Sequence, residues 1–376
     1  MAGGVTSSHE AALGVKVHLL LACAAAVSAA APAFAQSPAT SVATVKPLEI
    51  RMVIVTAFEI GEDVGDKAAE YQAWATVMPE VLPFPAGFRH LRYDPKKQAL
   101  LIMTGIGTNR AAASTMALGL DPRFDLTHAY WLVAAIAGAN PHTATVGSAA
   151  WIGDLVDTDY GYGVDPREAP KGWTTGMFPR DRTAPYQGKP GDTQYNLYPL
   201  NKGLRDWAFT LTKTVKLPDT PVLQQIRAGY AASPAAAKPP SVLVGDEATG
   251  QTFWHGTLLN DHAERWVAYW TGRPNSFVMT GMEDTGIANA LTMLGRLGKA
   301  DPARLMMLRT GSNFTTQPAG GDAAGSLIGE LKGLSALQPS LDAAFAVGGT
   351  VVNEITGNWG RYRDTIPGAA VGAAAK

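Results

Sequence analysis

Two short stretches hold the residue types best suited to chemistry. They are Gly281-Met282-Glu283-Asp284-Thr285-Gly286 and, after a gap of helical length, Leu308-Arg309-Thr310-Gly311-Ser312-Asn313. The apolar runs 275–282 and 304–309 read as strands, each followed by residues that favour turns or helix starts. Ligands in an open α/β sheet sit beyond the carboxyl ends of its strands, so Glu283 and Asn313 are expected to face one crevice. A carboxylate accepts hydrogen bonds from hydroxyls and an amide can both donate and accept. That pairing suits a nucleoside better than a metal ion or a peptide.

Gly105-Ile106-Gly107-Thr108-Asn109-Arg110 is the glycine-rich turn. It lies between the strand expected at 100–104 and an Ala-rich helix, where backbone N–H groups can hold an anion or a ribosyl oxygen. It lacks the third small residue of a dinucleotide fingerprint and the Gly-Lys-Ser/Thr of a phosphate-binding loop. A close strand-to-helix turn with packing duties alone explains it equally well. Asp246-Glu247 follows the apolar run 242–244, which marks the pair as ligand-facing, and Phe253-Trp254 could stack on a flat base or fill the core. His255 and His262 lack a third metal ligand, and neither His-Glu-x-x-His nor Gly-x-Ser-x-Gly occurs. Zinc peptidase and serine hydrolase chemistry therefore lack their minimum signatures, and no metal or cofactor is expected.

Strands alternating with helices position these residues. Residues 48–58, 100–104 and 130–136 read as buried strands, with 88–93 and 99–104 forming a hairpin around Asp94-Pro95-Lys96-Lys97. Helices are expected at 66–78, 109–118, 201–213, 260–269, 285–294 and 340–354, and 146–157 reads as a long strand at a sheet edge. The fold class is α/β, a three-layer α/β/α arrangement with a central mixed sheet. Residues 160–237 are rich in Gly, Pro, Tyr and Trp, as a long irregular insertion near the ligand edge of a single domain, 48–376, would be.

Residues 17–31 are small or apolar behind Lys16, and Ala33-Phe34-Ala35 has the pattern of a signal peptidase site. Cleavage after Ala35 and a tether at 36–47 are expected, giving a periplasmic or secreted protein. Processing would remove the only cysteine, Cys23, and with it disulfides and thiolate chemistry. The formal net charge of -1 offers no electrostatic case for nucleic acid.

Segments 50–58, 104–113, 121–139, 146–159, 168–178 and 279–313 together resemble, in order, the purine nucleoside permease family. The resemblance covers roughly residues 48–360. It implies a fold similar to that of purine nucleoside phosphorylases and nucleosidases, purine nucleosides as ligands, and a homo-oligomer or an envelope transport partner. Under it, Met282-Glu283 holds ribose hydroxyls and Ser312-Asn313 addresses the purine ring. Gly105 and Gly107, with Arg110, would place phosphate as a co-substrate, or water, against C1′. Val146-Gly147-Ser148 departs from the superfamily's acidic residue at Ser148, and Asn313 cannot deliver a proton as a carboxylic acid would. Two functions follow: cleavage of the N-ribosidic bond with Glu283 and Asn313 as catalytic residues, or nucleoside binding without chemistry in support of transport. On residue types alone, Glu283 can instead cap the helix after it and Asn313 can close a turn.

Overall fold

The computed structural model describes residues 46–191, 195–332 and 336–368. The leader, its cleavage position and the tether up to residue 45 lie outside the described residues. In chain order the elements begin with β1 (Leu48–Glu49), β2 (Met52–Thr56), α1 (Gln72–Val77), β3 (Glu80–Leu82), β4 (Leu91–Asp94), β5 (Ala99–Met103) and α2 (Thr108–Gly119). They continue with β6 (Phe124–Asp125), β7 (Tyr130–Ala139), β8 (Ala149–Asp157), β9 (Tyr162–Gly163), β10 (Met177–Phe178), β11 (Leu197–Pro199), α3 (Lys202–Thr212) and α4 (Pro221–Ala228). The last are β12 (Val242–Thr249), α5 (Thr257–Thr271), β13 (Phe277–Gly281), α6 (Asp284–Arg296), β14 (Leu305–Phe314), α7 (Ala323–Lys332), α8 (Leu337–Gly357) and α9 (Trp359–Tyr362).

Ten strands make one mixed sheet in the order β11-β8-β12-β13-β7-β2-β5-β4-β3, with β14 pairing both β7 and β8. The second pairing closes β7, β14, β8, β12 and β13 into a ring, from which β2, β5, β4 and β3 fan outward. Strands β2, β5, β7 and β14 run parallel. All five residues of β2 and of β5 are buried, as expected for strands covered on both faces. Alternation then divides the core. Val53, Val55, Trp131 and Val133 pack towards α2 and α6, whereas Met52, Ile54, Tyr130 and Leu132 pack towards α1 and α8. Helices on both faces of a mixed sheet make the three-layer architecture.

Four local expectations change. The 66–78 helix is reduced to α1 because the Glu59 carboxylate accepts from the backbone N–H groups of Ile60, Ala69 and Gln72, fixing residues 59–71 as a strapped loop. Strand β8 lies inside the sheet between β12 and β14. Its polar Asp154 is buried in ion pairs with Arg273 and Lys202. Strand β14 continues five residues past Arg309, with an irregularity between Gly311 and Asn313, so Asn313 sits in a strand and not in a turn. Residues 160–237 contain α4 as well as the expected helix α3.

Candidate functional site

A cavity of about 270 Å³ opens where β2, β5, β7 and β13 end, walled by Ala57, Phe58, Ile106, Ile136, Ala137, Gly138 and Phe253. Its polar end holds Glu70, Thr280, Glu283, Arg309, Ser312 and Asn313. A groove of about 330 Å³ between α1 and α8 is larger, but its Asp94 and Lys97 already pair with each other. The smaller cavity has the convergent buried charges that mark a site.

The centre of the site is Arg309, 2% exposed. It projects from β14 and donates through Nη1 to Ile136 O (2.9 Å), through Nη2 to Glu283 Oε2 (2.8 Å), and through Nε to Asp284 Oδ2 (2.9 Å), with a second, shorter contact to Asp284 Oδ1. Burial opposes its charge, but Asp284, Glu247 and Glu283 outweigh burial and hold the guanidinium protonated. Glu283 uses its other oxygen to accept the backbone N–H of Gly107 (2.9 Å). It occupies the cap position of α6 without a side-chain capping bond, so its carboxylate belongs to the cavity and not to the helix end.

Glu70 enters from the strapped loop. Its carboxyl accepts from Ala57 N (2.6 Å) and Ile136 N (2.8 Å), which fixes it against the ends of β2 and β7. Burial pushes it up to about 7, against the pull of Arg309 and helped by the repulsion of Glu283. Glu70 can therefore gain or lose a proton near neutrality, which general acid–base chemistry requires. Its place in a stretch that reads as helix hid it from sequence reasoning. The available clue was an acidic residue shortly after the first buried strand.

Glu283, Asn313, Met282, Ser312 and Phe253 all line the cavity. Asn313 Nδ2 donates to Phe314 O (3.0 Å), and Ser312 Oγ lies 3.1 Å from Asn313 Oδ1, which fixes the amide plane and leaves one Nδ2 hydrogen for a ligand. Phe253 stands at the mouth, 47% exposed. Gly105 and Gly107 both take positive φ, +79° and +98°, but the Gly107 N–H is spent on Glu283. The anion this turn holds is the protein's own carboxylate.

Arg110 and Asp246 lie outside the cavity. The Arg110 guanidinium folds back on Ile106 O at the exposed side of α2. Asp246 accepts from Asp154 N and pairs with Arg273 (2.6 Å) on the opposite face of β12. The register of β12 slips between Asp246 and its neighbour, and it is Glu247 that points towards Arg309. None of the described residues of 160–237 lines the cavity. That segment meets α5 instead, through Tyr186 Oη and His262 Nδ1 (2.6 Å).

The family model described as purine nucleoside permease matches residues 49–367. The chain belongs to the purine nucleoside permease family. A family protein of Schizosaccharomyces pombe, named a probable purine nucleoside permease, is 32% identical over 265 residues, which are 68% of this chain and 75% of that protein. The purine nucleoside permease of Candida albicans is 29% identical over 270 residues, 70% of this chain and 65% of that protein. Among solved structures, a 5′-methylthioadenosine/S-adenosylhomocysteine nucleosidase from Colwellia psychrerythraea aligns with a TM-score of 0.49 and 16% identity, covering 82% of this chain and 95% of that one. A futalosine hydrolase from Helicobacter pylori aligns with a TM-score of 0.48 and 15% identity over 81% and 98%. In this family member no described helix is long and apolar enough to cross a membrane.

Proposed function

We propose that this chain binds purine nucleosides in the cavity beside Arg309 and cleaves their N-ribosidic bond with water, in the cell envelope after export. The observation that carries the chemistry is Glu70: a carboxyl that titrates near neutrality, in the same cavity as Glu283 and Asn313. In this reading Glu283 accepts from ribose hydroxyls and the free Nδ2 hydrogen of Asn313 points to N7. Glu70 takes a proton from the water that attacks C1′. The C1′–O bond forms as the bond from C1′ to the base breaks, and the departing base, stabilised by Asn313, takes up the proton that left the water, which restores Glu70. Free base and ribose are the products.

Water fits this site better than phosphate. The Gly107 N–H is occupied by Glu283, Arg110 faces away, and Arg309 is engaged by Glu283, Asp284 and Ile136. A phosphate dianion would meet two carboxyl groups there and, among the described residues that line the cavity, no unengaged cation to receive it. A second reading is favoured by Asn313, which can hold a purine but cannot protonate it: the cavity captures nucleosides for an envelope transport partner without turnover.

The test is release of free base from inosine, adenosine and guanosine, with and without phosphate. Release without phosphate is the expected result, whereas release only with phosphate selects phosphorolysis and removes the assignment of water. Tight binding without turnover leaves the capture reading. No binding of any nucleoside defeats both.

A further inference from the structure

Behind the cavity lies a group that the proposed chemistry does not use. Glu247 is 0% exposed, and among the described residues neither of its carboxyl oxygens has a hydrogen-bond donor within reach. Its Oε2 stops 3.9 Å from Arg309 Nε, whose N–H is already given to Asp284. The carboxyl lies over Gly281, where a Cβ would overlap Glu247 Oε1 and crowd Arg309 Nη2, so glycine is what lets the acid reach the cluster.

The surrounding charges define its state. Arg309 faces it from β14, and Glu283 and Asp284 from the junction of β13 and α6. On β8, Asp157 is occupied by the backbone N–H groups of Asp159 and Tyr160. From α5, Glu264 turns to Asn140 and His142, and His262 to Tyr186. One guanidinium thus serves Glu283, Asp284 and Glu247, with Glu70 close enough to feel it. Two facing carboxyl groups attract only if one carries a proton. Burial, then Asp284, raises Glu247 well above the usual carboxylate range, against the pull of Arg309.

We propose that Glu247 is a positioning residue. As a neutral carboxylic acid it donates a hydrogen bond to Asp284 and so sets the Arg309 guanidinium that carries Glu283. Packing does not require an acid here, because an apolar side chain of similar volume fills a buried site at no greater cost than an ionisable group. What an apolar residue cannot supply is the donor to Asp284.

The experiment compares wild type, Glu247→Gln and Glu247→Leu. In the infrared spectrum at neutral pH, wild type should show the C=O stretch of a protonated carboxyl that Glu247→Gln lacks. Inosine affinity, measured by calorimetry, should stay within roughly threefold of wild type in Glu247→Gln, whose amide keeps a donor, and fall about tenfold or more in Glu247→Leu. A spectrum unchanged by Glu247→Gln overturns the proposal. Glu247→Gln as weak as Glu247→Leu, or Glu247→Leu as tight as wild type, overturns it too. Should Glu247→Leu not fold, the band and the Glu247→Gln affinity decide together. The affinity arm rests on the nucleoside-binding reading, so a wild type that binds no inosine counts against that reading, while the band alone then decides whether Glu247 is the neutral acid.

Discussion

Replacing Arg309 with Met removes the guanidinium that Glu283 and Asp284 share while keeping an apolar stem of similar length. Glu283 and Asp284 lose their cationic partner, and Ile136 O loses a donor. Deleting one member of a buried ion pair costs about 3–5 kcal/mol, because the other charge stays buried and uncompensated. The Gly107 N–H still satisfies one oxygen of Glu283 but does nothing for Asp284. The sign of the pH dependence follows from Glu70 and Glu247, both raised by burial and both lowered by Arg309. Without Arg309 their folded values rise further above the unfolded one. A raised acid contributes stability that is present below its unfolded value and lost as pH rises towards its folded value. The deficit of the variant should therefore be smallest in mild acid and widest above neutrality. Urea denaturation across that range measures it. A loss below about 0.5 kcal/mol, the scale of an ordinary surface change, or a gap that does not vary with pH, would refute the view that Arg309 neutralises this cluster.

Other substitutions probe single contacts. Glu70 is raised from 4.5 to about 7, so wild-type stability should fall as pH climbs between those values. Glu70→Gln should flatten that slope by about 3 kcal/mol, and an unchanged slope in parallel denaturation series would count against the shift. Glu283→Gln should weaken nucleoside binding by about 1.5–3 kcal/mol and free-base binding much less. Calorimetry with inosine and hypoxanthine separates the two, and equal weakening would show that Glu283 supports the cavity indirectly. Gly281→Ala places a methyl group against Glu247 and Arg309 and should cost about 1–3 kcal/mol of stability. A variant that melts with wild type would show that the carboxyl shifts aside freely.

Local pattern determined much of this protein. The unbroken apolar character of 130–136 marks a buried strand, which the structure extends to Ala139, and the glycine-rich turn before an Ala-rich segment marks the start of α2. Glu283 and Asn313 are visible as polar residues beside apolar strands, and both line the cavity. Strand parity was less legible, since it survives only while the register is regular. The slip in β12 sends Asp246 to Arg273 and Glu247 to Arg309, and no property of the two adjacent acids distinguishes them beforehand.

The partners were decided by tertiary structure alone. The Gly107 amide and the Glu283 carboxylate are 176 residues apart in the chain, and their bond exists because β5 and β13 end at the same cavity. Glu70 reaches that cavity because Glu59 strips the first turns from an expected helix. Residue types state which groups can carry charge, and short-range spacing states which elements carry them. Which carboxyl keeps its proton depends on how many others the closed ring of strands buries around one arginine, and that number belongs to the folded chain.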